Sequence, residues 1–460
     1  MKFNQKISEK QLLIKAVNKF TNQTKQKNDE QFTYKTSKNV IEFLLCPCEQ
    51  TFDLCLFTWK ISELFFMHKE KNVTIDLDSF LCCCPKKYIK NVCDIVLNKV
   101  VIFNEKILSY KADVGDYEGN IIFSPKYKSL VDEAYTLACG TKFAKYLQIA
   151  PSNVVNIEKF VQLTNEKLGK INKNLKIKIM KKNEMEKKGL NLILAVNMGS
   201  NEEAKLLILE YKNNAKNKKN VGLVGKGVVF DAGGYCLKSS PYLIGMNQDM
   251  AGAAAVIGTI FSLAKNNKKV NVVCAIPLVK NLINQNSYIV HDIYQAYNKK
   301  NVEILNTDAE GRLILADAIA YLSKNYQLTK LVSISTLTGL SARYFGDINT
   351  PYWSTKELCS NEIKLAFTNA GEYCVNIPLL PAHTTIVKKS SNLADYANIS
   401  KIGHSDSSFA AAFLKEFSYC SNFTHINIAG TIEYKKYPIN PFCLVLYNFV
   451  TENFNENNNH

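Results

Sequence analysis

Three side chains able to act together in catalysis alternate within residues 306–313, which read NTDAEGRL. Asp308, Glu310 and Arg312 stand two residues apart. In an extended segment alternate side chains point the same way, so the three would share one face. That face would hold two carboxylates and one guanidinium, and buried carboxylates need cations nearby.

A second group of charged side chains lies in the glycine-rich stretch 224–250. Lys226 and Asp231 are five residues apart across a predicted strand. Lys238 follows, and Asp249 stands at the start of a predicted apolar helix. Together with the first segment, these residues place carboxylates and lysines at strand ends and helix starts of one apolar region.

Other interpretations of these residues remain open. Eight of the twenty glycines lie between Gly222 and Gly258, which suggests a phosphate-binding loop, but the spacing GxxxxGK(S/T) is absent. Asp249 and Asp308 could each cap a helix. The lysines of this stretch could lie on the surface. Each alternative explains one residue, whereas a metal site explains the group.

The charges of the group fit two divalent metal ions. Four carboxylates carry −4 and two divalent ions carry +4, so the formal charges sum to zero without a lysine. The carboxylates are those of Asp231, Asp249, Asp308 and Glu310. Lys226 could then bind a metal as a neutral amine, because neighbouring divalent cations lower its pKa.

The composition limits the partners of the chain. Its 460 residues have a formal net charge of +16, which permits a nucleic-acid partner. The lysines are spread along the chain, however, and no interleaving of basic and aromatic residues stands out, so we do not expect nucleic acid as a partner. Arg312 and Arg343 are the only arginines, which indicates that a planar guanidinium is needed at Arg312.

The sequence also predicts a cytoplasmic protein. No apolar run reaches the roughly 18 residues that cross a bilayer, and the first twenty residues contain no uninterrupted apolar segment typical of a secretory signal. We therefore expect no membrane association. The fourteen cysteines are interpreted as free thiols in a reducing compartment.

Strand and helix patterns predict an α/β fold with two domains. Residues 1–135 are expected to form a small mixed α/β domain without catalytic residues, and 136–150 a connecting helix. Residues 151–450 alternate buried strands with helices, which predicts a larger domain with a mostly parallel central sheet flanked by helices. The polar residues 451–460 are expected to be a disordered tail.

Three segments together resemble the cytosolic leucine aminopeptidase family of dinuclear metallopeptidases. They read VGKGVVFDAGG, MNQDMAGAAAV and NTDAEGRL, and further matches include STLTGL at 335–340 and ADYAN at 394–398. The resemblance extends from about Ala138 to Tyr447. It implies a metal-dependent aminopeptidase of leucyl type that trims short peptides.

The resemblance implies a role for each charged residue. The tighter metal would be bound by Lys226, Asp231, Asp249 and Glu310, and the more exchangeable one by Asp231, Asp308 and Glu310. Lys238 would polarise the scissile carbonyl group, and Arg312 would hold a bicarbonate ion that acts as general base. The metals would be Zn²⁺ or Mn²⁺, with Mg²⁺ or Co²⁺ as substitutes, and they would lower the pKa of a bridging water.

The resemblance also implies a substrate pocket and an assembly. Asp249 would help to hold the free α-amine of the substrate. Met246, Thr336, Leu337 and Gly339 would line the pocket, which predicts a preference for Leu or Met at the substrate's N-terminus. The family forms homohexamers, so the same assembly is expected here.

Several positions depart from the family pattern, although none is a predicted ligand or catalytic group. Asn247 stands where a Lys is common, Asn427 takes the place of an Asp, and the loop 280–292 is altered. These changes put loop shape, packing and rate in doubt. A relative that kept the fold and lost turnover is therefore the alternative to an active enzyme, and a metal-dependent activity assay separates the two.

Overall fold

The structure, a computed structural model, describes residues 1–5, 11–18, 32–45, 48–69, 71–104, 107–110, 119–217, 219–400 and 406–454. The chain divides into two compact units. The first unit comprises Met1–Lys142 and Ala366–Tyr373, and the second comprises Phe143–Leu365 and Cys374–His460. The predicted two-domain α/β fold is confirmed.

The first unit contains a six-stranded sheet with the order β1-β6-β5-β2-β4-β3. Its pairings are parallel except for β3 with β4. The strands are β1 Lys2–Phe3, β2 Leu12–Val17, β3 Tyr34–Ser37, β4 Val40–Leu44, β5 Val73–Asp76 and β6 Gly119–Ile122. The helices are α1 Leu54–Met67, α2 Leu77–Cys83, α3 Ile89–Asn104 and α4 Lys128–Ile149, with short 3₁₀ helices at Lys86–Tyr88 and Pro125–Tyr127.

The second unit contains a nine-stranded sheet with the order β16-β15-β18-β14-β9-β11-β8-β7, in which β10 also pairs with β11. Three small strands β12, β13 and β17 form a separate sheet, and β19 pairs with β20. The strands are β7 Leu175–Met180, β8 Lys205–Lys212, β9 Val221–Gly225, β10 Gly227–Asp231, β11 Asn271–Asn281, β12 Ile293–Gln295, β13 Asn301–Glu303, β14 Lys330–Ser335, β15 Thr350–Ser354, β16 Cys374–Asn376, β17 Tyr396–Ala397, β18 Phe423–Asn427, β19 Glu433–Tyr434 and β20 Tyr437–Pro438.

The remaining helices follow in chain order, with short 3₁₀ helices at Asn197–Gly199 and Met246–Gln248. They are α5 Ile157–Leu168, α6 Lys182–Lys188, α7 Asn191–Val196, α8 Ser240–Leu243, α9 Ala251–Lys265, α10 Gly311–Asn325, α11 Gly339–Phe345, α12 Glu357–Ala370, α13 Pro381–Lys388, α14 Asp406–Lys415 and α15 Phe442–Glu452. Residues 451 and 452 of the predicted tail belong to α15, and 455–460 lie outside the described residues.

Five neighbouring strands of the large sheet run parallel: β10, β11, β9, β14 and β18. This arrangement confirms the predicted mostly parallel sheet. Because these strands point the same way, their carboxyl ends meet at one edge, where ligands bind in folds of this type. Lys226, Asp231 and Thr336 lie at or just after the ends of three of them.

Helix α9 packs very closely against this sheet because its first turn has no side-chain bulk. A Cβ atom on Gly252 would lie 2.2 Å from the carbonyl oxygen of Ile334 in β14. On the facing strand, a Cβ atom on Gly225 would lie 2.6 Å from the carbonyl oxygen of Gly252. Both positions therefore require glycine, and the close approach brings Asp249, which precedes the helix, to the end of β9.

Two further findings concern the helices and the cysteines. No helix in the part of the chain that the structure describes combines the length and hydropathy needed to cross a bilayer. The cysteines with described positions are all free thiols, while Cys46 lies outside them.

Candidate metal centre

Lys226 joins two carboxylates that come from distant parts of the chain. Its Nζ atom lies 2.8 Å from Oδ1 of Asp249 and 2.7 Å from Oε1 of Glu310, and it donates a hydrogen bond to the carbonyl oxygen of Thr336 at 3.1 Å. Lys226 is only 3% exposed. Burial lowers its pKa, but the charges of the surrounding carboxylates outweigh that effect and raise the pKa above its usual value.

Space for the Lys226 side chain depends on the glycine that begins α10. A Cβ atom on Gly311 would lie 2.6 Å from Cε of Lys226. Any larger residue would therefore displace the lysine from Asp249 and Glu310. This steric requirement explains why Gly follows Glu in the segment NTDAEGRL.

Lys238 forms the second ion-pair cluster of the site. Its ammonium group lies 2.9 Å from Oδ2 of Asp231 and also pairs with Asp308. The other oxygen of Asp231 accepts hydrogen bonds from the backbone N–H of Gly233 at 2.9 Å and from Nδ2 of Asn281 at 2.8 Å. Burial and the negative charge of Glu310 raise the pKa of Asp231 to about 6.

These residues fit a metal site by their oxygen atoms. One carboxylate oxygen from each of Asp231, Asp308 and Glu310 lies within 4.8 Å of the others. Oδ2 of Asp249 is buried and has no hydrogen-bond partner within the described ranges. Four carboxylates against Lys226 and Lys238 leave a formal surplus of two negative charges. Oxygen ligands with surplus negative charge are what hard divalent cations require.

The two structural alternatives for the charged residues do not hold. Asp249 does not cap α9, because the helix starts after Met250 and has no side-chain cap. Its carboxylate instead accepts hydrogen bonds from Lys226 and from Oγ1 of Thr336 at 2.7 Å. Lys226 is buried, and the Lys238 side chain is only 14% exposed, so neither is a surface lysine.

The predicted extended face of Asp308, Glu310 and Arg312 is wrong. Residues 307–308 form a turn, Glu310 has helical angles of φ −77° and ψ −36°, and α10 begins directly after it. The turn still brings Asp308 and Glu310 together. Arg312 lies in the first turn of α10, where its Nη1 donates to the carbonyl oxygen of Asn398 at 2.8 Å.

Asn398 stabilises this turn by hydrogen bonds, although the sequence predicted no role for it. Its Oδ1 accepts from the backbone N–H groups of Leu305 and Asn306 at 2.8 and 3.2 Å. Its Nδ2 donates to the carbonyl oxygens of Asn306 and Ala309 at 2.6 and 3.3 Å. One buried amide therefore satisfies four backbone groups of the segment that carries Asp308. The only signal in the sequence was its place in the segment ADYAN at 394–398, which does not reveal these contacts.

Thr307 and Asn281 also support the site and were not singled out. Thr307 accepts a hydrogen bond from the backbone N–H of Cys236 and donates one to the carbonyl oxygen of Gly233. Asn281 donates to both Asp231 and the carbonyl oxygen of Thr307. The loop that carries Lys238 is thereby tied to the turn that carries Asp308.

Two of the four predicted pocket residues, Thr336 and Leu337, lie beside the cluster. Thr336 contacts Asp249 and Lys226 directly, and Cδ1 of Leu337 lies 3.0 Å from the position of a Cβ atom on Gly311. Met246 and Gly339 each begin a short helix, and a Cβ atom on Gly339 would meet no other atom within 4 Å. Their contact with a substrate stays a prediction.

Comparisons with known proteins agree with this geometry. The model of the cytosol aminopeptidase family, catalytic domain, matches residues 142–441. The chain is 36% identical to the probable cytosol aminopeptidase of Mycoplasma pneumoniae over 80% of this chain and 82% of that protein. It is 30% identical to the one of Metamycoplasma salivarium over 92% of this chain and 79% of that protein. The cytosol aminopeptidase of Encephalitozoon cuniculi shares 36% identity over 66% of this chain and 62% of that protein.

The family match covers more than half of the chain and includes every residue of the carboxylate cluster. Members of this family are metal-dependent aminopeptidases, which accords with an all-oxygen cluster that has surplus negative charge. The chain belongs to the cytosol aminopeptidase family.

Proposed function

We propose that this chain is a leucyl aminopeptidase that hydrolyses the N-terminal residue from short peptides with two divalent metal ions. The observation that carries the proposal is the convergence of Asp231, Asp308 and Glu310 within 4.8 Å, with Asp249 adjacent. The proposed ions are Zn²⁺ or Mn²⁺, and Mg²⁺ or Co²⁺ could substitute.

The ligands divide between two positions. We assign Lys226, Asp231, Asp249 and Glu310 to the tighter position, and Asp231, Asp308 and Glu310 to the exchangeable one. Asp231 and Glu310 are assigned to both positions. Glu310 pairs with Lys226 and Asp231 with Lys238, and their carboxylate oxygens lie within 4.8 Å of each other. When bound, the two ions would lower the pKa of a bridging water and neutralise charge that develops in the reaction.

Lys238 is assigned to the scissile carbonyl group. Its ammonium group lies beside Asp231 and Asp308, and these carboxylates raise its pKa even though burial alone would lower it. It therefore stays charged at neutral pH and can donate a hydrogen bond to the carbonyl oxygen as negative charge develops there.

Arg312 is assigned to a bicarbonate ion that serves as general base. Two features support this assignment. Arg312 is 3% exposed and lies two residues after Glu310. It also occupies the first turn of the fifteen-residue helix α10, where the helix N-terminus and a guanidinium group both favour an anion.

Substrate selection is assigned to residues around Asp249. A carboxylate close to the metals can hold the free α-amine, which limits the enzyme to N-terminal residues. We propose that Met246, Thr336, Leu337 and Gly339 line the pocket for the first side chain and that Leu and Met are preferred. The open space at Gly339 is consistent with a side chain that enters there.

The wider setting rests on the family and the sequence. We propose a homohexamer in the cytoplasm, with neither nucleic acid nor membrane as a partner. We also propose that residues 151–450 form the catalytic domain, that 136–150 form the connecting helix within α4, and that 1–135 contain no catalytic residue.

One assay tests the proposed function. The purified full chain is incubated with leucine p-nitroanilide and Mn²⁺ or Co²⁺, and a chelator is then added. We expect release of p-nitroaniline that stops on chelation and returns with added metal. A panel of N-terminal residues should favour Leu and Met. Absence of metal-dependent release from every substrate would overturn the proposal and favour a relative without turnover.

A further inference from the structure

The last residue of β18, Asn427, holds the end of the loop between β14 and α11. It is 1% exposed. Its Oδ1 accepts hydrogen bonds from the backbone N–H of Leu337 at 3.3 Å and of Ala429 at 3.1 Å. Because backbone N–H groups only donate, they fix the orientation of the amide and place Nδ2 on the opposite side.

On that opposite side Asn427 meets hydroxyl groups. Nδ2 donates to Oγ1 of Thr338 at 2.6 Å and to Oγ of Ser341 at 3.1 Å. Both hydroxyls also lie close to Oγ of Ser407, at 2.7 and 2.8 Å. Since the amide uses one lone pair of each hydroxyl, each can donate its proton to Ser407, which belongs to α14, or to the other hydroxyl at 3.1 Å.

The same loop is tied to the carboxylate cluster at its other end. Thr336 donates to Asp249 and accepts from Lys226. These bonds do not involve Asn427. The loop therefore has two independent attachments, one to the proposed metal ligands and one to the buried amide, with Leu337 between them.

We infer that Asn427 is a positioning residue that selects which N-terminal side chains the enzyme accepts, acting through Leu337 and Thr338 without touching the substrate. The inference rests on the proposed function. Loss of the amide would release Leu337 and the start of α11, whereas Thr336 would keep its bonds to the cluster. Selectivity should change while metal binding persists.

The test is Asn427→Ala, which removes all four hydrogen bonds of the side chain. The N–H groups of Leu337 and Ala429 then lose their acceptor, and the hydroxyls of Thr338 and Ser341 lose their donor. We expect the ratio of kcat/KM for leucine p-nitroanilide over alanine p-nitroanilide to change by about tenfold, mainly through KM. Metal content by elemental analysis should stay at the unsubstituted level.

Asn271→Ala is the matched control. Asn271 is 5% exposed, accepts from the backbone N–H of Asn214 and donates to the carbonyl oxygens of Asn214 and Asn217. It lies at the start of β11, whereas the cluster lies at the strand's other end. The control should carry a similar cost of buried polar groups that lose their partner and should leave the Leu/Ala ratio unchanged.

Ser407→Ala provides a second variant if Asn427→Ala does not fold. It removes the hydroxyl shared by Thr338 and Ser341 and should shift the Leu/Ala ratio in the same direction by a smaller factor. An active enzyme whose ratio stays unchanged in the folded variants overturns this inference alone. An unsubstituted chain that is inactive on every substrate overturns the proposed function and this inference with it.

Discussion

Lysines meet carboxylates in two different ways in this chain. In the first unit Lys99 pairs with Glu372 at 2.9 Å, and their side chains are 5% and 20% exposed. In the carboxylate cluster of the second unit, Lys226 and Lys238 face four carboxylates, three of which are buried, while Asp308 is 31% exposed. In a balanced pair the two opposite charges neutralise each other, whereas surplus buried negative charge needs a further cation to neutralise it. The imbalance, more than the burial, marks the functional site.

Replacement of Lys238 by Ala should have the largest effect on activity. We expect kcat to fall by about 10²–10³-fold, because the carbonyl oxygen loses its charged hydrogen-bond donor. Both metal equivalents should remain by elemental analysis, since this lysine is assigned to the substrate. Full activity in this variant would remove Lys238 from the proposed reaction.

Lys280→Ala is the matched control for this prediction. Lys280 is as enclosed as Lys238, with an 11% exposed side chain, and it pairs with the single carboxylate of Glu202. Because this pair is balanced, the control should change stability and leave kcat near that of the unsubstituted enzyme. An equal loss of rate in both variants would make burial of a lysine, and not the surplus of carboxylates, the relevant feature.

Asn398→Ala should reduce activity by about 10–100-fold, the range for residues that orient metal ligands. The variant leaves four backbone groups around Asp308 without their buried partner. The loss should be accompanied by weaker retention of the more exchangeable metal, measured by titration with a chelator. Asn98→Ala, at a buried amide of the first unit, should leave metal retention unchanged; a similar effect there would contradict the assignment.

The sequence predicted the sheet well, because strands that are buried on both faces are continuous apolar runs. The apolar runs at 205–211 and 331–335 lie in β8 and β14. The run at 251–264, which is rich in small residues, lies in α9. The convergence of the charged residues was also accessible, since each follows a strand or precedes a helix at the same edge of the sheet.

The turn that carries Asp308 could not be predicted in the same way. Alternation of charged residues fits an extended strand as well as a turn, and the extended strand was the prediction. The turn is held by Asn398, about ninety positions further along the chain. A bond over that separation leaves no periodic pattern, so the support of the site by Asn398, Thr307 and Asn281 required the structure.

Glu372→Gln should weaken the balanced pair of the first unit. Lys99 would keep its charge without a carboxylate, and we expect the free energy of unfolding to fall by about 1–2 kcal/mol. This is less than for a fully enclosed pair because Glu372 keeps some exposure. Denaturant unfolding measures the change, and kcat should not move. Asp132→Asn, in the exposed pair with Lys128, should cost little; a larger cost there would contradict the dependence on burial.

Asp249→Asn, in the unbalanced cluster, should raise the free energy of unfolding of the metal-free protein, whereas Glu372→Gln should lower the free energy of unfolding. Burial raises the pKa of Asp249 well above its usual value, although the charge of Lys226 lowers it. A raised pKa in the folded state means that the carboxyl favours folding at low pH and that this contribution is lost as pH rises. At neutral pH a neutral amide should therefore stabilise the metal-free protein, by about 1 kcal/mol. Denaturant unfolding with chelator at pH 7 and at lower pH measures this: the advantage of the variant should shrink as pH falls, and a variant less stable at pH 7 would show that the cluster is balanced without metal.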